Sequence, residues 1–354
     1  MKMCTRQICF ILAVYTAVTK VILYPTLLAL QSGRDLLFSA LIDFLVVGVI
    51  VWAVSFLCSK TDKTLFKLIE DNVGNICARI VYGVFAAFFM LATIVPLFEQ
   101  KSYTHAIFYD TVQSLIVFIP FFFFAIYASS KGFKNIGRCA DICLPLFIVS
   151  MLFIFIMSVG EIKPNSFLPM LKTPLDKVFF GSLSTLHCFV EPCWLLMFMG
   201  HFKYKKGDSA KITLSYAAGA AVTLFTLFVF YGIYGDTAMS RHFAISKISL
   251  FFPAIEMLGR MDLLALYILE AVMLFALVLN VQLAVHCIEK CTGYDNSAVL
   301  SLAVNGVLLA LLVVFESKFH SILDVYRQWM WIVFAVFAIV MPVLVWLFPR
   351  RKKR

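Results

Sequence analysis

Long apolar runs alternate with short polar loops along the whole 354-residue chain. A helix needs about 20 mostly apolar residues to cross a bilayer, and about ten runs reach this length. The pattern predicts an all-α polytopic membrane protein with one transmembrane domain over residues 1–354. We predict spans at 8–30, 36–58, 79–99, 108–128, 140–160, 179–201, 212–235, 262–287, 297–315 and 328–348.

The composition supports the same class of protein. Hydrophobic residues make up 62% of the chain and charged residues only 14%, whereas average soluble chains have about 45–50% and about 25%. The net charge of +10 comes from basic residues in the loops, so the expected partner is the lipid bilayer and not nucleic acid. Most of the 30 Lys and Arg residues fall on the side that holds both termini. We therefore expect both termini in the cytoplasm of a bacterial cell with this protein in its membrane.

A lysine stands near the middle of the first predicted span. Lys20 follows Thr16 and Thr19 and precedes Tyr24-Pro25. Ionisable groups inside spans are costly, and they usually mark a pathway or an internal partner. Two interpretations stay open at this stage: a structural ion pair or snorkelling chain, and a role in binding or coupling.

The sixth predicted span also has a polar centre. It contains His187, Glu191 and Pro192. Pro192 removes a backbone donor and disturbs the preceding turn, which frees carbonyl groups near residue 188. His187 and Glu191 are four residues apart, so a regular helix would place them on one face. A carboxylate at a helix break can hold a cation, a proton or an amine; the alternative is a kinked helix whose glutamate pairs with an internal base.

Two further carboxylates lie well inside predicted spans. Asp43 and Glu270 are candidates for coupling or for internal pairing. No local pattern of catalytic residues, nucleotide-binding loop or closely spaced metal ligands accompanies any of these groups. The sequence therefore predicts a protein that is not an enzyme and needs no cofactor or metal.

The two polar, proline-containing spans occupy corresponding places in two halves. The first repeat would cover residues 8–160 and the second residues 179–348, with five spans each. Five is odd, so the halves would have opposite orientation in the membrane. Interrupted helices at matching positions are typical of inverted-repeat transporters, whose binding site lies between the breaks.

Three stretches carry a resemblance to a known family: Ile22-Leu23-Tyr24-Pro25, the segment 181–185 that leads to Glu191, and Arg260-Met261-Asp262 at the start of the eighth span. With the chain length and the ten spans, they make residues 5–348 similar to the B subunit of spore-germination nutrient receptors. That family belongs to the amino acid–polyamine–organocation superfamily of permeases.

The resemblance implies a function and a location. Such subunits sit in the inner membrane of the endospore and act with an A subunit and a lipoprotein C subunit to sense nutrients such as amino acids. An ion- or proton-coupled secondary amino-acid transporter would need the same pocket and is the alternative. Relatives usually carry Gly in the middle of the first helix, where this chain has residues 17–20, so unwinding of that helix stays open. Residues that match the implied pocket are Thr16, Ala17, Thr19 and Lys20 on the first helix and His187, Cys188 and Glu191 on the sixth.

Overall fold

The structure is a computed structural model that describes residues 3–109, 111–169, 171–250, 261–318, 326 and 329–347. Within these residues the chain is helical and forms no β-strand. The α-helices are α1 (Thr5–Val18), α2 (Tyr24–Ser32), α3 (Leu36–Ser59), α4 (Leu65–Val73), α5 (Asn75–Phe108), α6 (Ser114–Ser129), α7 (Phe133–Ser158), α8 (Leu175–Thr185), α9 (Glu191–Met197), α10 (Asp208–Tyr234), α11 (Ala244–Ser249), α12 (Met261–Thr292), α13 (Ser297–Val314) and α14 (Met341–Leu347).

The helices follow the order of the predicted spans. In the described part of the chain, seven helical stretches are long and apolar enough to cross a membrane, the last being Trp329–Trp346. Two shorter apolar helices, α1 and α6, and the pair α8 and α9 account for the remaining spans. The all-α, multi-pass membrane fold is therefore confirmed. The boundaries of the two five-helix halves stay a prediction. The basic residues 350–354 at the C-terminus lie outside the described residues.

A glycine turns the chain between the first two spans. Gly33 ends α2 with φ +54, a left-handed value that side chains with a Cβ rarely adopt. The Tyr24 hydroxyl at the start of α2 donates to Asp43 Oδ2 of α3 at 3.0 Å. Because these residues lie on opposite sides of the turn, the two helices form an antiparallel hairpin.

The core is built around α12. In the most apolar stretch of α12, 72% of the residues are buried, against 28% in that of α13. The difference arises because α12 packs against α5, α7 and α1. On another side α1 packs against α10, and the two backbones approach closely at Gly219. A Cβ there would lie 2.6 Å from the Ala13 carbonyl oxygen. This packing holds α1 between α10 and α12 and fixes where its end lies.

Candidate functional site

The first span is interrupted over residues 19–23, between α1 and α2. Pro25 lies in the first turn of α2. It has no N–H to continue the preceding hydrogen-bond ladder, and its ring excludes a regular turn before it. The break therefore forms without the glycine that relatives usually carry, and this answers the question the sequence left open. The freed Ile22 carbonyl accepts a hydrogen bond from the Ala244 N–H of α11 at 2.9 Å.

The sixth span is interrupted in the same way. The helix α8 gives way to a 3₁₀ turn over Leu186–Cys188, and α9 begins at Glu191 with Pro192 in its first turn. The prediction that His187 and Glu191 share a helix face was wrong, because the interruption lies between them. His187 Nδ1 is 2.6 Å from the Ser184 carbonyl oxygen, and its ring stands edge-on to that of Tyr326.

An ion pair joins the two breaks. Lys20 Nζ lies 2.5 Å from Glu191 Oε1, and both side chains are 0% exposed. The ammonium also lies 4.3 Å from the centroid of the Phe189 ring. Glu191 Oε2 has no hydrogen-bond partner among the residues that the structure describes. Taking two charges out of water costs several kcal/mol per ion, so each charge here depends on the other. The geometry matches the ion-pair interpretation of Lys20; contact of either residue with a solute stays a prediction.

A cavity of about 70 Å³ lies beside this pair, where both breaks meet α5 and α12. Three of the predicted pocket residues, Thr19, His187 and Cys188, line it. The other four do not. The full lining is Tyr15, Val18, Thr19, Ile22, Ala92, Val95, Pro96, Glu99, Gln100, His187, Cys188, Val190, Met273, Ala276, Leu277, Asn280 and Tyr326.

The four predicted residues outside the lining have other neighbours. Lys20 and Glu191 contact each other, as described. Thr16 and Ala17 are fully buried, and Thr16 lies against α10, where a Cβ on Gly219 would approach its own Cβ to 2.9 Å. The Thr16 hydroxyl makes no hydrogen bond within the described ranges. These four residues are therefore buried near the breaks without lining the cavity.

Polar groups from distant spans reach the cavity and were not among the predicted residues. The Tyr15 hydroxyl donates to Asn280 Oδ1 at 3.0 Å, which ties α1 to α12. Gln100 and Glu99 enter from α5. The signal for Gln100 and Asn280 was present in the sequence, because amides inside apolar runs rarely face lipid. Together these groups give the cavity both hydrogen-bond donors and acceptors.

The two carboxylates predicted for coupling lie at different places. Asp43 accepts hydrogen bonds from Tyr24, from Ser182 Oγ at 2.5 Å and from Thr185 Oγ1 at 2.8 Å. These contacts tie α3 to α2 and α8, next to the sixth-span break. Glu270 on α12 is also buried, away from Asp43.

Within the part of the chain that the structure describes, the hydrogen bonds of Glu270 go to α5. It accepts from Thr104 Oγ1 at 2.5 Å and from the amide of Gln100. Since Gln100 also lines the cavity, Glu270 lies one residue behind the cavity wall. Its part in coupling stays a prediction.

Comparison with known proteins gives a family match. A family model for spore germination proteins, Spore_permease, matches residues 2–320. Among curated proteins, none matches the chain significantly.

Solved structures show the fold. The chain is similar to MhsT in complex with L-phenylalanine, with a TM-score of 0.69, 13% identity and coverage of 98% of this chain and 89% of that one. It is also similar to Mhp1, a nucleobase-cation-symport-1 family transporter with bound bromovinylhydantoin, with a TM-score of 0.56, 9% identity and coverage of 86% and 71%. It is similar as well to a manganese transporter mutant from Eremococcus coleocola, with a TM-score of 0.56, 12% identity and coverage of 96% of this chain and 77% of that one. The fold is thus that of transporters with about ten transmembrane helices in a 5+5 inverted repeat.

Proposed function

The chain belongs to the spore germination protein family, and on that premise we propose that it is the nutrient-sensing subunit of a spore germination receptor. Its family and its structural neighbours are permeases and transporters, not enzymes, and it is a multi-pass, permease-like membrane protein. In this proposal a small solute, an amino acid, binds between the broken first and sixth helices. Thr19, His187 and Cys188 contact it, and the Lys20–Glu191 pair with Thr16 and Ala17 holds the breaks in place.

The observation that carries this proposal is the cavity at the meeting point of the two breaks. Broken helices bring ends of both polarities to one place, and half-helix termini at mid-membrane are used by transporters to hold charged solutes. The cavity wall adds neutral donors and acceptors, among them Tyr15, Gln100 and Asn280. An ammonium and a carboxylate on one small molecule suit such a site. Its modest volume favours a small amino acid over a sugar or a nucleoside.

The proposed receptor has further parts. An A subunit and a lipoprotein C subunit would associate with this chain in the inner membrane of the endospore, with both termini of the chain in the cytoplasm. Co-purification of the three subunits from spores tests this arrangement. Recovery of this chain alone, under conditions that retain other membrane complexes, would count against it.

A binding screen on the purified full-length protein tests the solute. Thermal unfolding in detergent should shift upward with at least one amino acid, because a ligand that binds only the folded state stabilises it. Sugars and nucleosides are the comparison sets. A shift with nucleosides and none with amino acids would contradict the proposed ligand class.

A coupled secondary amino-acid transporter is the second candidate. The buried carboxylates Asp43 and Glu270 favour it, because ionisable groups inside membrane proteins often carry coupling protons or ions. Purified protein in liposomes would then accumulate a labelled amino acid against its gradient when a proton or sodium gradient is applied. Ligand binding without any uptake would support the receptor instead.

A further inference from the structure

Asp43 lies in a buried seam between α2, α3 and α8. Its side chain is 0% exposed. All three of its hydrogen-bond donors are neutral hydroxyls: Tyr24 at 3.0 Å, Ser182 at 2.5 Å and Thr185 at 2.8 Å. Within the described residues, no Lys or Arg nitrogen lies within 4 Å of this carboxylate. Among the described residues, its charge therefore has no directly bonded basic partner.

The charges around the break do not balance. Lys20 acts on Asp43 electrostatically, but its ammonium is bound to Glu191 at 2.5 Å. One buried cation thus faces two buried carboxylates. An uncompensated carboxylate in a water-poor interior is costly, and such a group takes up a proton or a cation.

The hydroxyls can serve as cation ligands. Thr185 Oγ1 lies 3.0 Å from the Gly181 carbonyl and 3.1 Å from the Ser182 carbonyl. It can donate its proton to its own helix and turn a lone pair toward a cation beside Asp43. Ser182 and Thr185 also stand in the last turn of α8, where the helix dipole is negative and favours positive charge.

The hydroxyl of Tyr216 on α10 is also buried near Asp43. Tyr216 is 2% exposed, and its hydroxyl makes no hydrogen bond to any of the described residues. It interacts electrostatically with both Asp43 and Glu191. The titratable groups that face Asp43 are therefore Lys20, Tyr24 and Tyr216, with Glu191 beyond Lys20.

We propose that Asp43, Tyr24, Ser182 and Thr185 form a binding site for one monovalent cation, a proton or a sodium ion. The bound cation compensates the negative charge that the Lys20–Glu191 pair leaves over. It would also hold α8 against α2 and α3, next to the sixth-span break. Occupancy of the site can be tested without knowing the solute, because it is measured as the stability of the protein in the absence of solute.

Thermal unfolding of the purified full-length protein tests the site. One series varies sodium from zero to about 150 mM at constant ionic strength, with choline as the replacement cation. A second series varies pH from about 5.5 to about 8.5 without sodium, the range in which buried carboxyls take up protons. A bound sodium ion predicts a Tm rise of at least about 2 °C with sodium. A bound proton predicts a Tm that ignores sodium and falls as pH rises, because the stabilising proton is lost.

Variants assign either response to Asp43. Asp43→Asn should remove the response to sodium or pH. Ser55→Ala is the control and should keep the response. Ser55 is a buried residue of α3 whose hydroxyl donates to the Val51 carbonyl of its own helix at 2.7 Å. The inference is overturned if the wild-type Tm responds to neither sodium nor pH, or if Asp43→Asn responds as the wild type does.

A second pair of variants decides the matter if Asp43→Asn does not fold. Ser182→Ala and Thr185→Val each remove one hydroxyl from the carboxylate. Each should raise the sodium concentration for half the effect by about tenfold, because the cation loses an oxygen ligand, or raise the midpoint pH by about one, because the ionised carboxylate loses a charge-assisted hydrogen bond. Unchanged midpoints in both variants would overturn the inference.

Discussion

Lys20 Nζ lies 2.5 Å from Glu191 Oε1, so one buried contact joins the break in the first span to the break in the sixth. The two residues are 171 positions apart in the chain. Lys20 lies within the first interruption, and Glu191 is the first helical residue after the second. The pair therefore holds together the two least regular parts of the membrane-embedded core, directly behind the cavity.

Removing one member of this pair should be far worse than removing both. Lys20→Met and Glu191→Gln should each lower stability by about 3–5 kcal/mol, because each leaves an uncompensated or poorly solvated group in the core. The double variant Lys20→Met/Glu191→Gln should recover most of the loss. Thermal unfolding of the purified variants measures this. A double variant as unstable as the worse single variant would show that the pairing itself is not the source.

The hydroxyl of Thr19 should matter for solute binding. It lines the cavity and donates to the Tyr15 carbonyl at 2.7 Å. Thr19→Val keeps the shape and should weaken binding of the amino acid found in the screen by about fivefold to tenfold, because one hydrogen bond is lost. Thr93→Val is the matched control, since Thr93 makes the same bond to the Phe89 carbonyl at 2.6 Å and does not line the cavity. Equal affinities for both variants would contradict a contact at Thr19.

Pro192 should be needed for binding more than for stability. Pro192→Ala restores a backbone N–H and permits the helix to continue toward residue 188. A conformation in which α8 and α9 form one continuous helix would then compete with the broken one. This competition should weaken solute binding by about tenfold without lowering Tm. Pro145→Ala, at a proline inside the regular helix α7, serves as the control and should leave binding unchanged. Unaltered solute binding in Pro192→Ala would show that binding does not require the break at Pro192.

A methyl group at Gly219 should disturb the packing of α1. Its Cβ would lie 2.6 Å from the Ala13 carbonyl oxygen and 2.9 Å from Thr16 Cβ. Overpacking of this kind costs about 1–3 kcal/mol, so Gly219→Ala should lower Tm. Gly306→Ala is the control, because nothing lies within 4 Å of a Cβ there and alanine favours a helix. A Gly219→Ala protein as stable as the wild type would mean that the two helices can separate at little cost.

A carboxylate that follows α13, Glu316, should make stability depend on pH. Lys101 Nζ donates to Glu316 at 2.6 Å and lowers the pKa of that carboxyl. The pair therefore stabilises the fold above the unfolded pKa of about 4.3, and this contribution disappears as pH falls through the folded pKa. Glu316→Gln should be slightly less stable than the wild type at neutral pH, with the gap closing below about pH 4. The effect is small because Glu316 is 40% exposed.

A matched variant isolates this effect. Glu161→Gln changes an exposed carboxyl that forms no salt bridge within the described ranges. The Tm difference between Glu161→Gln and the wild type should be the same at neutral and at acid pH. A gap for Glu316→Gln that persists unchanged at acid pH would exclude the carboxylate as its cause.

The spans and the break in the sixth span could be predicted from the sequence, because each depends on local features. Runs of about 20 apolar residues specify the helices, and Pro192 prevents a regular turn before it. The break in the first span stayed open, because residues 17–20 lack the expected glycine, although Pro25 acts in the same way as Pro192. A lone lysine in a span also indicates a nearby counter-charge. These features act within one span, so a single sequence is sufficient to read them.

The cavity wall could not be predicted in the same way. Gln100 and Asn280 lie on different spans from the breaks, and nothing near them in the sequence states which helix they face. Their place depends on how α5 and α12 pack around α1. Lys20 and Glu191 match the pocket that the family resemblance implies, yet they pair with each other. Their neighbours line the cavity instead. Long-range packing decided both outcomes.

The hydrogen bond from the Ala244 N–H to the Ile22 carbonyl connects the short helix α11 to the interrupted part of the first span. The unwound turn is complete only while a segment more than two hundred residues later in the chain stays in place. If α11 withdraws, a peptide oxygen loses its donor at the edge of the cavity, where Ile22 forms part of the wall. The position of α11 is therefore linked through one backbone hydrogen bond to a residue of the cavity wall.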